Sequence, residues 1–364
     1  MPTYTNTKTT LGSEDAAFNA LVAHELTEFN DDSILELGQY AFYKQTTLQS
    51  IYLPALTKIN SNAFDGCENL KRIFVGLNKN TVCTLSSTTA LSNTGRSIIY
   101  VPDDLVSNYR SASNWSTYAG RIYGISELGQ NEWDETEITD DAETIAAKVN
   151  AGTAASSYHI GQYKTISLKN TETGVDEGTI RMQIVGKNMR GIKNSEDTAQ
   201  LEWLAMDLLK TNHRMNPAFD NNTEGTGAIG GMAHNEMQTY LDTTIWALIP
   251  EVWQNIIKET EVVTAIYNTS GSSVKNDVTY QKLRVPSYRE VFGGTSYESQ
   301  GPVYSMAFPD SNTRKRAKVG STSAATWWLR SAYTTNTFMY VNSSGSNNYA
   351  TANTSYGVAL SFST

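Results

Sequence analysis

The sequence predicts a multidomain protein in which a short repeat solenoid precedes an α+β domain. Three observations support this fold class. Apolar residues recur every 22 positions near the N-terminus, an acidic stretch interrupts the chain at residues 129–142, and strand-like and helical patterns follow it in separate runs. Periods of about 20–50 residues are typical of repeat architectures, and segregated strands and helices are typical of α+β domains. The length of 364 residues accommodates two or three domains.

Composition limits the partners that the chain can have. The formal net charge is −9, and an acidic chain repels phosphate backbones, so we expect no nucleic acid partner. Only Cys67 and Cys83 are present, too few for a disulfide framework or a four-thiolate metal site. No secretory signal is visible at residues 1–18, and no apolar run is long enough to span a bilayer, so we expect no membrane insertion.

A repeat of 22 residues runs through residues 24–76. Each unit is too small to cover its own apolar face, so stacked units share one core, and the period predicts a short leucine-rich repeat solenoid. The aligned positions are Leu26, Leu48 and Leu70; Phe29, Ile51 and Ile73; Ile34 and Leu56; Leu37 and Ile59; and the dipeptide Ala41-Phe42 with Ala63-Phe64.

The segment INSNAFDGCENL at residues 59–70 resembles the bacterial leucine-rich repeats of the BspA type. The resemblance implies that Cys67 is a buried structural residue. Residues 96–125 look like the end cap of such an array, with one further strand and a helix that carries Leu105, Tyr109 and Trp115. We therefore expect an N-terminal tail over residues 1–23 and a repeat domain with its cap over residues 24–128. The repeat domain would serve either as an attachment or spacer module or as a ligand site.

The C-terminal domain is expected over residues 143–364, after the acidic linker at residues 129–142. Asp140 or Asp141 is a candidate cap for a helix over residues 142–152. Apolar periodicity predicts the remaining elements. The expected strands cover residues 165–170 and 179–188, and the expected helices cover residues 201–210, 232–249 and 251–260.

The last 34 residues, 331–364, contain no Asp, Glu, Lys or Arg, although about six would be expected from the average composition. Of the 26 residues at 331–356, 22 are Ser, Thr, Asn, Tyr or Ala. Such segments are commonly disordered tails. Here the flanking TWWLR and the alternating Val358, Leu360 and Phe362, typical of a half-buried strand, favour an ordered surface between two core strands. Tyrosines with small polar residues are the chemistry of antibody loops.

The order of GGMAHNEMQTYLDTTIWALI, TWWLRS and the final YGV resembles a bacterial and phage family of unknown function with a C-type-lectin-like fold. The chain departs from that family at Ala332, where the family has proline, and at Ala359 and Leu360, where it has arginine and proline. The same fold carries the variable proteins of diversity-generating retroelements, whose rewritten segment yields mainly Asn, Tyr, Ser, Thr and Ala. The resemblance implies a C-type-lectin-like ligand-binding domain, and composition leaves diversification open.

No catalytic or metal site is predicted, and we expect neither an enzyme nor a cofactor. The four histidines lie outside metal-ligand spacing of one another, and no nucleophile or phosphate-binding motif occurs. The oxygen donors Asp220, Asn221, Asn222 and Glu224 lack the spacing of a calcium loop, so a polar loop is the simpler interpretation. Carboxylate pairs such as Asp197 with Glu202 cannot be distinguished from surface charges by the sequence. At least one of Trp327 and Trp328 should pack in the core, and Arg330 should pair with an acid.

We therefore predict a non-enzymatic receptor-binding protein of a phage or prophage tail whose partner is a host-cell surface protein or glycan. The repeat domain would contact other virion proteins. The location would be the virion or the bacterial cell surface. Two alternatives stay open: a bacterial surface adhesin, and a structural appendage protein in which the uncharged end is an assembly interface. The predicted contact residues are Tyr333, Thr335, Asn336, Tyr340, Asn342, Ser344, Asn347, Asn348, Tyr349, Thr351, Asn353 and Tyr356.

Overall fold

The computed structural model describes residues 10–11, 26–129, 132–217 and 225–364. It divides the chain into an N-terminal unit, Met1–Glu132, and a C-terminal unit, Trp133–Thr364. Each unit has a hydrophobic core of its own. Most of the expected tail lies outside the described residues, and so do all four oxygen donors Asp220, Asn221, Asn222 and Glu224.

The N-terminal unit is built from short strands that pair in parallel. The paired strands form two sheets, of order β1-β3-β5-β7 and β2-β4-β6-β8-β9. The strands are β1 (Thr10–Leu11), β2 (Glu28–Asn30), β3 (Glu36–Leu37), β4 (Ser50–Leu53), β5 (Lys58–Ile59), β6 (Arg72–Val75), β7 (Thr84–Leu85), β8 (Ile98–Val101) and β9 (Ile122–Gly124). The described residues of this unit contain the α-helix α1 (Val106–Ser111) and 3₁₀ turns at Thr88–Leu91, Asp103–Leu105, Trp115–Arg121 and Ile125–Glu127.

The pairing register confirms the repeat seen in the sequence. Glu36 pairs with Lys58, and Ile51 pairs with Ile73, each at an offset of 22 residues. The next pairing in the second sheet, of Ile73 with Ile99, has an offset of 26, and the longer unit contains the turn Thr88–Leu91. Consecutive units therefore add one strand to each sheet.

Stacked aromatic rings belong to the core of this unit. The rings of Phe42 and Phe64 stack with centroids 5.4 Å apart, one from each copy of the AF dipeptide. Cys67 is fully buried, and its Sγ donates to the carbonyl oxygen of Phe42 at 3.0 Å. Burial raises the pKa of the Cys67 thiol to about 12. These contacts agree with the structural role expected for Cys67.

The cap closes the core around Cys83. The hydroxyl of Tyr109, on α1, accepts from the backbone nitrogen of Cys83 at 2.9 Å, and Nε1 of Trp115 donates to the carbonyl oxygen of Cys83 at 2.6 Å. Only Tyr109 of the three expected residues lies on α1, because Leu105 ends the preceding 3₁₀ turn and Trp115 begins the following one. The two cap side chains thus hold Cys83 through its backbone nitrogen and carbonyl oxygen.

The C-terminal unit is mostly sheet. Its strands are β10 (Tyr163–Lys169), β11 (Asp176–Lys187), β12 (Leu201–Ala205), β13 (His213–Arg214), β14 (Thr260–Tyr267), β15 (Ser273–Gln281), β16 (Leu283–Arg284), β17 (Arg316–Ala317), β18 (Ala324–Ala325), β19 (Trp327–Thr334), β20 (Thr337–Val341), β21 (Asn347–Thr351), β22 (Ser355–Tyr356) and β23 (Ser361–Ser363). Its α-helices are α2 (Ala142–Asn150), α3 (Ala154–Ser157), α4 (Glu236–Tyr240), α5 (Glu251–Gln254) and α6 (Tyr288–Phe292).

The five-stranded sheet β10-β11-β12-β23-β16 corrects two expectations. Residues 201–210 were expected as a helix, but Leu201–Ala205 is a strand in which all five side chains are buried. This segment pairs on both sides, with β11 and with β23, and sheet pairing overrides its helical propensity. The C-terminal strand was expected to be half-buried, but every residue from Val358 to Thr364 is buried because β23 is an inner strand.

The helical part is shorter than the sequence predicts. Asp141 caps α2 by accepting from the backbone nitrogen of Thr144 at 2.8 Å. The segment 232–249 is helical but irregular, with 3₁₀ turns at Met232–His234 and Trp246–Leu248 around α4 and a π-helical turn at Leu241–Ile245. Of residues 251–260, only Glu251–Gln254 is α-helical. Within the described ranges, no helix is long and apolar enough to cross a membrane.

Three of the smaller antiparallel sheets, which lie outside the five-stranded sheet, position the hairpins. Strands β14 and β15 form a two-stranded ribbon, β19, β20 and β21 form a three-stranded sheet, and β22 pairs with β13. Six of the twelve predicted contact residues lie on the strands of the three-stranded sheet and four more lie in its two turns, so its anchoring decides how firmly they are held.

Candidate ligand-binding surface

Strand β19 separates two hydrophobic cores. Trp327 and Trp328 are both fully buried. They belong to different core clusters because successive side chains of a strand point to opposite faces. Nε1 of Trp327 donates to the carbonyl oxygen of Arg314 at 3.1 Å, and Nε1 of Trp328 donates to that of His213 at 2.9 Å. The expectation that at least one tryptophan packs in the core is confirmed for both.

A buried charge cluster fixes the same strand. Arg330 donates from Nη1 to Glu290 Oε2 at 2.9 Å, which confirms the expected acidic partner. Arg190 bridges Glu290 and Glu202, and Arg284 pairs with Glu202. All five side chains are at most 2% exposed. Glu202, which the sequence could not distinguish from a surface charge, is therefore an interior one.

The charges in this cluster compensate the cost of burial. Burial by itself would raise the pKa of Glu290, but Arg330 and Arg190 outweigh burial and hold that pKa well below its usual range. Glu290 also closes the N-terminus of α6, since its Oε2 accepts from the backbone nitrogen of Ser287 at 3.0 Å. One carboxylate thus ties a strand, a helix start and a second arginine together.

A third acid, Glu298, lies next to this cluster. Its Oε1 accepts from the backbone nitrogen of Ala265 at 3.0 Å and from the hydroxyl of Ser331. Burial raises the pKa of Glu298. Ser331 is the residue after Arg330, so β19 is held at two consecutive positions where the polar segment begins.

The turn between β19 and β20 is held through its backbone. The carbonyl oxygen of Thr335 accepts from the backbone nitrogen of Ala228 at 2.8 Å, and that of Asn336 accepts from Ala352 at 2.9 Å. Inside the turn, the hydroxyl of Thr334 contacts Asn336 Oδ1 at 2.9 Å. Thr335 and Asn336 are half-buried as a result.

The turn between β20 and β21 is closed by a predicted contact residue. Oδ1 of Asn342 accepts from the backbone nitrogens of Ser344 and Ser346 at 2.9 and 3.0 Å, and from the hydroxyl of Ser344 at 2.6 Å. The side chains of Asn342 and Ser344 therefore build the turn. The oxygen of Asn342 is committed to it, whereas the exposed Ser344 stays on the surface.

Two tyrosines stack on one face of the three-stranded sheet. The rings of Tyr333 and Tyr349 have centroids 4.0 Å apart and planes 15° apart, and the side chains are 37% and 48% exposed. We call Tyr333 and Tyr349 the tyrosine pair. The ring centroid of the half-buried Tyr297 lies 6.1 Å from that of Tyr333, and the ring centroid of Tyr288 lies 4.8 Å from that of Tyr297. The aromatic row extends beyond the uncharged segment, and no spacing in the sequence indicated these two neighbours.

The opposite face carries a second aromatic group. The ring centroids of Tyr340 and Tyr356 are 5.0 Å apart. Both rings pack against Trp328, with centroid distances of 6.3 and 4.9 Å. Both tyrosines are half-buried on the edge of a core cluster. These two rings serve packing as well as the surface.

All twelve predicted contact residues lie in the described part of the chain, and none of them is buried. Thr335, Asn336, Tyr340, Asn342, Thr351 and Tyr356 are half-buried. We call the six exposed ones the hairpin surface. Its members are Tyr333, Ser344, Asn347, Asn348, Tyr349 and Asn353.

Two families match parts of the chain. Residues 5–111 match the BspA type leucine rich repeat region, in six copies. Residues 229–363 match a domain of unknown function (DUF6273). The protein carries a BspA-type repeat region and a DUF6273 domain. No curated protein and no solved structure gives a significant match.

The DUF6273 domain contains all twelve predicted contact residues. It also contains Arg284, Glu290 and Arg330, whereas Arg190 and Glu202 come from the preceding part of the unit. The match to the family therefore covers the hairpins and part of the charge cluster that anchors them.

The described residues hold no group of three or more His, Cys, Asp or Glu side chains that could bind a metal. His213 stacks on the ring of Tyr240 with centroids 4.2 Å apart, and its Nε2 lies 3.7 Å from Glu236. The chemistry available on the hairpin surface is hydrogen bonding by hydroxyls and amides together with apolar contact by tyrosine rings.

Proposed function

We propose that the protein is a non-enzymatic binding protein whose C-terminal domain attaches to a host-cell surface protein or glycan through the hairpin surface. The tyrosine pair carries this proposal. Two stacked rings that remain more than one-third exposed offer rigid apolar area at low entropic cost. The exposed amide of Asn347, which lies two residues before Tyr349 on β21 and so on the same face, supplies directional hydrogen bonds.

The anchoring of the sheet supports a recognition role. Binding surfaces are effective when a rigid framework holds them, because little order has to be created on binding. Arg330, Ser331 and the two tryptophans fix β19 from inside, and the uncharged segment begins at Ser331, the last of these contacts. The exposed residues are thus free to differ chemically without loss of the contacts that hold the strand.

We further propose that this domain has a C-type-lectin-like fold and that its C-terminal segment is a diversified one, as in retroelement variable proteins. The division between buried flanks and exposed hairpins is what such a protein needs. The repeat region would then attach the domain to a phage tail or to a bacterial surface. The test is to sequence the DNA beside the gene. A near-copy of the 3′ coding end that differs at adenines would support diversification. The absence of both such a copy and a reverse transcriptase gene would argue against it.

The contact role is tested by replacing the tyrosine pair. Labelled protein is applied to a panel of intact bacterial cells and to a glycan array, and then the variant Tyr333→Ser with Tyr349→Ser is compared. We expect at least about a tenfold loss of affinity, since aromatic anchors dominate binding energy. A matched control is Tyr43→Ser, which removes a tyrosine that is 38% exposed in the N-terminal unit. Equal binding by the pair variant and the parent overturns the proposal.

A further inference from the structure

The aromatic row of the C-terminal unit continues past the tyrosine pair into the loop that follows α6. In that loop, the ring centroid of Tyr297 lies 6.1 Å from that of Tyr333, and the two ring planes are 59° apart. Tyr297 is half-buried, so part of its side chain remains open to solvent. The three rings therefore form one continuous aromatic area, and one of them comes from outside the uncharged segment.

The hydroxyls along this row are unused within the protein. Among the described residues, none forms a hydrogen bond with the hydroxyl of Tyr297, Tyr333 or Tyr349. Burial raises the pKa of Tyr297, so its hydroxyl stays protonated at neutral pH. A phenol both donates and accepts a hydrogen bond. Each ring thus offers a target an apolar body and a polar tip, the combination that makes tyrosine common in binding surfaces.

The residue after Tyr297 ties its loop to two strands. Glu298 is fully buried, and its Oε1 accepts from a backbone nitrogen of β14 and from the hydroxyl of Ser331 on β19. The hydroxyl oxygen of Ser331 in turn accepts from the backbone nitrogen of Tyr288 at 2.8 Å. Because Ser331 lies two residues before Tyr333, these contacts also set the position of Tyr297 relative to the tyrosine pair.

A third strand holds the next two residues of the loop. Oδ1 of Asn276, on β15, accepts from the backbone nitrogens of Ser299 and Gln300 at 2.9 and 3.2 Å, and its Nδ2 donates to Ser299 Oγ at 2.8 Å. The loop is therefore tied to β14, β15 and β19 within three residues of Tyr297. A ring that is positioned before binding loses little conformational entropy when a target covers it.

The row is also supported from α6. The ring centroid of Tyr288 lies 4.8 Å from that of Tyr297, and the ring of Tyr288 stacks on that of Phe292 with centroids 5.0 Å apart. The guanidinium of Arg314 lies 4.5 Å from the centroid of the Phe292 ring. Tyr297 thus has ring contacts both with a packed helix and with the tyrosine pair.

We infer that Tyr297 is a third contact residue of the binding surface and determines specificity together with the tyrosine pair. Tyr297 takes this role only if the pair binds as proposed above, so the assignment rests on the proposed function. A diversified segment 331–356 would change the pair and leave Tyr297 constant. Tyr297 then supplies the part of the surface that all targets share, and a target needs a neutral patch that covers three rings.

The test uses the full chain with the cell panel and glycan array applied to the tyrosine pair. Tyr297→Ser should weaken binding about tenfold, as expected for the loss of an aromatic contact residue. Tyr297→Phe should lose less, because it keeps the ring. The matched control is Tyr280→Ser, which removes a tyrosine that is 43% exposed on β15 in the same unit. This control should bind as the parent does.

Direct contact is measured by photochemical crosslinking. The photoreactive residue p-benzoylphenylalanine replaces Tyr297 or, as the control, Tyr280, and the protein is illuminated while it is bound to its target. We expect a covalent adduct with the target from position 297, suppressed by an excess of the parent, and none from position 280. A role of Tyr297 in folding alone would lower the melting temperature of Tyr297→Ser without giving an adduct.

The outcomes separate the role of Tyr297 from that of the tyrosine pair. If the pair variant loses binding but Tyr297→Ser binds as the parent does, or weakens binding without an adduct from position 297, the contact role of Tyr297 is overturned and the proposed function stands. Equal losses in Tyr297→Ser and Tyr280→Ser also overturn that role. If the parent binds no target, or the pair variant binds as well as the parent, both proposals fail.

Discussion

At the residue scale, the feature that organises the C-terminal unit is a set of charges in its interior. Arg190, Arg284 and Arg330 meet Glu202 and Glu290 with almost no exposure. Isolated buried charges are costly, and this network is tolerated because each charge faces at least one charge of the opposite sign. The consequence is that each member depends on the others.

Removal of one member should therefore be severe. Glu290→Gln deletes a charge that faces Arg190 and Arg330 and leaves both arginines partly uncompensated. We expect the free energy of unfolding to fall by about 3–5 kcal/mol. Urea denaturation followed by tryptophan fluorescence measures the change.

A surface pair provides the matched control. Lys210 lies 2.9 Å from Asp176, and the two side chains are 42% and 41% exposed. Lys210→Gln should change the free energy of unfolding by no more than about 1 kcal/mol, because solvent screens exposed ion pairs. A comparable loss in both variants would mean that burial of the cluster is not what makes Glu290 important.

Glu298 should make stability depend on pH in the opposite sense to Glu290. Burial raises its pKa above the ordinary value of 4.5, so its ionisation opposes folding. Its contribution is present below pH 4.5 and is lost as the pH rises through the raised value. Glu298→Gln imitates the protonated acid, so we expect equal stability at low pH and a growing advantage of the variant as the pH rises above 4.5. Denaturation of both proteins across this range measures the difference, and a constant difference would contradict the prediction.

At the element scale, two hairpins use the same turn. The sequences NTSGS at residues 268–272 and NSSGS at 342–346 close β14–β15 and β20–β21. Asn268 Oδ1 accepts from the backbone nitrogens of residues 270 and 272, as Asn342 Oδ1 does from residues 344 and 346. Turn chemistry therefore accounts for part of the Ser and Asn content of the uncharged segment, and contact with a target need not account for it.

The glycines of these turns make a matched pair for substitution. Gly345 has φ +84°, and a Cβ there would lie 1.8 Å from the carbonyl oxygen of Ser311. Gly271 has φ +76°, and its nearest neighbour would be a methyl group of Thr335 at 3.9 Å. Gly271→Ala should cost about 1 kcal/mol for the backbone conformation alone.

Gly345→Ala should cost at least about 2 kcal/mol, because backbone atoms have to move as well. The melting temperatures of the two variants measure this difference. Equal costs would show that the turn at residues 342–346 moves away from Ser311 without penalty.

At the scale of the whole molecule, charge is distributed unevenly along the chain. The protein has a net charge of −9, yet residues 331–364 contribute no Asp, Glu, Lys or Arg. The hairpin surface is thus a neutral region of an acidic protein. Neutral contacts are insensitive to screening by salt.

Binding through this surface should accordingly change little with ionic strength. For cells or glycans that the unmodified protein binds, we expect less than about a threefold change in affinity between about 50 and 500 mM salt. The variant Asn353→Lys introduces a charge at an exposed position and should make binding salt-dependent on an anionic cell surface. A steep loss of affinity of the unmodified protein would contradict the neutral contact surface.

Local periodicity made the N-terminal region predictable. Leu26, Leu48 and Leu70 repeat at a spacing that the sheet register keeps, because each unit packs only against its neighbours. The buried role of Cys67 was predicted from the resemblance of its segment to the BspA-type repeats, and the structure confirms it. In the C-terminal unit, Leu201–Ala205 was assigned wrongly, since its partners β11 and β23 come from distant parts of the chain.

The sequence by itself determined the repeat, the tryptophans that anchor β19, the pairing of Arg330 with an acid and the neutrality of the C-terminal segment. The repeat and the neutrality follow from spacing and composition, which are local properties, and the core position of the tryptophans was expected from the resemblance of the TWWLRS segment to a known family. Only the tertiary structure decided that Glu202 is buried, that Tyr333 stacks on Tyr349 and that Tyr297 lies beside Tyr333. Each of these depends on residues brought together from separate strands and loops, and no local pattern encodes which side chains will meet.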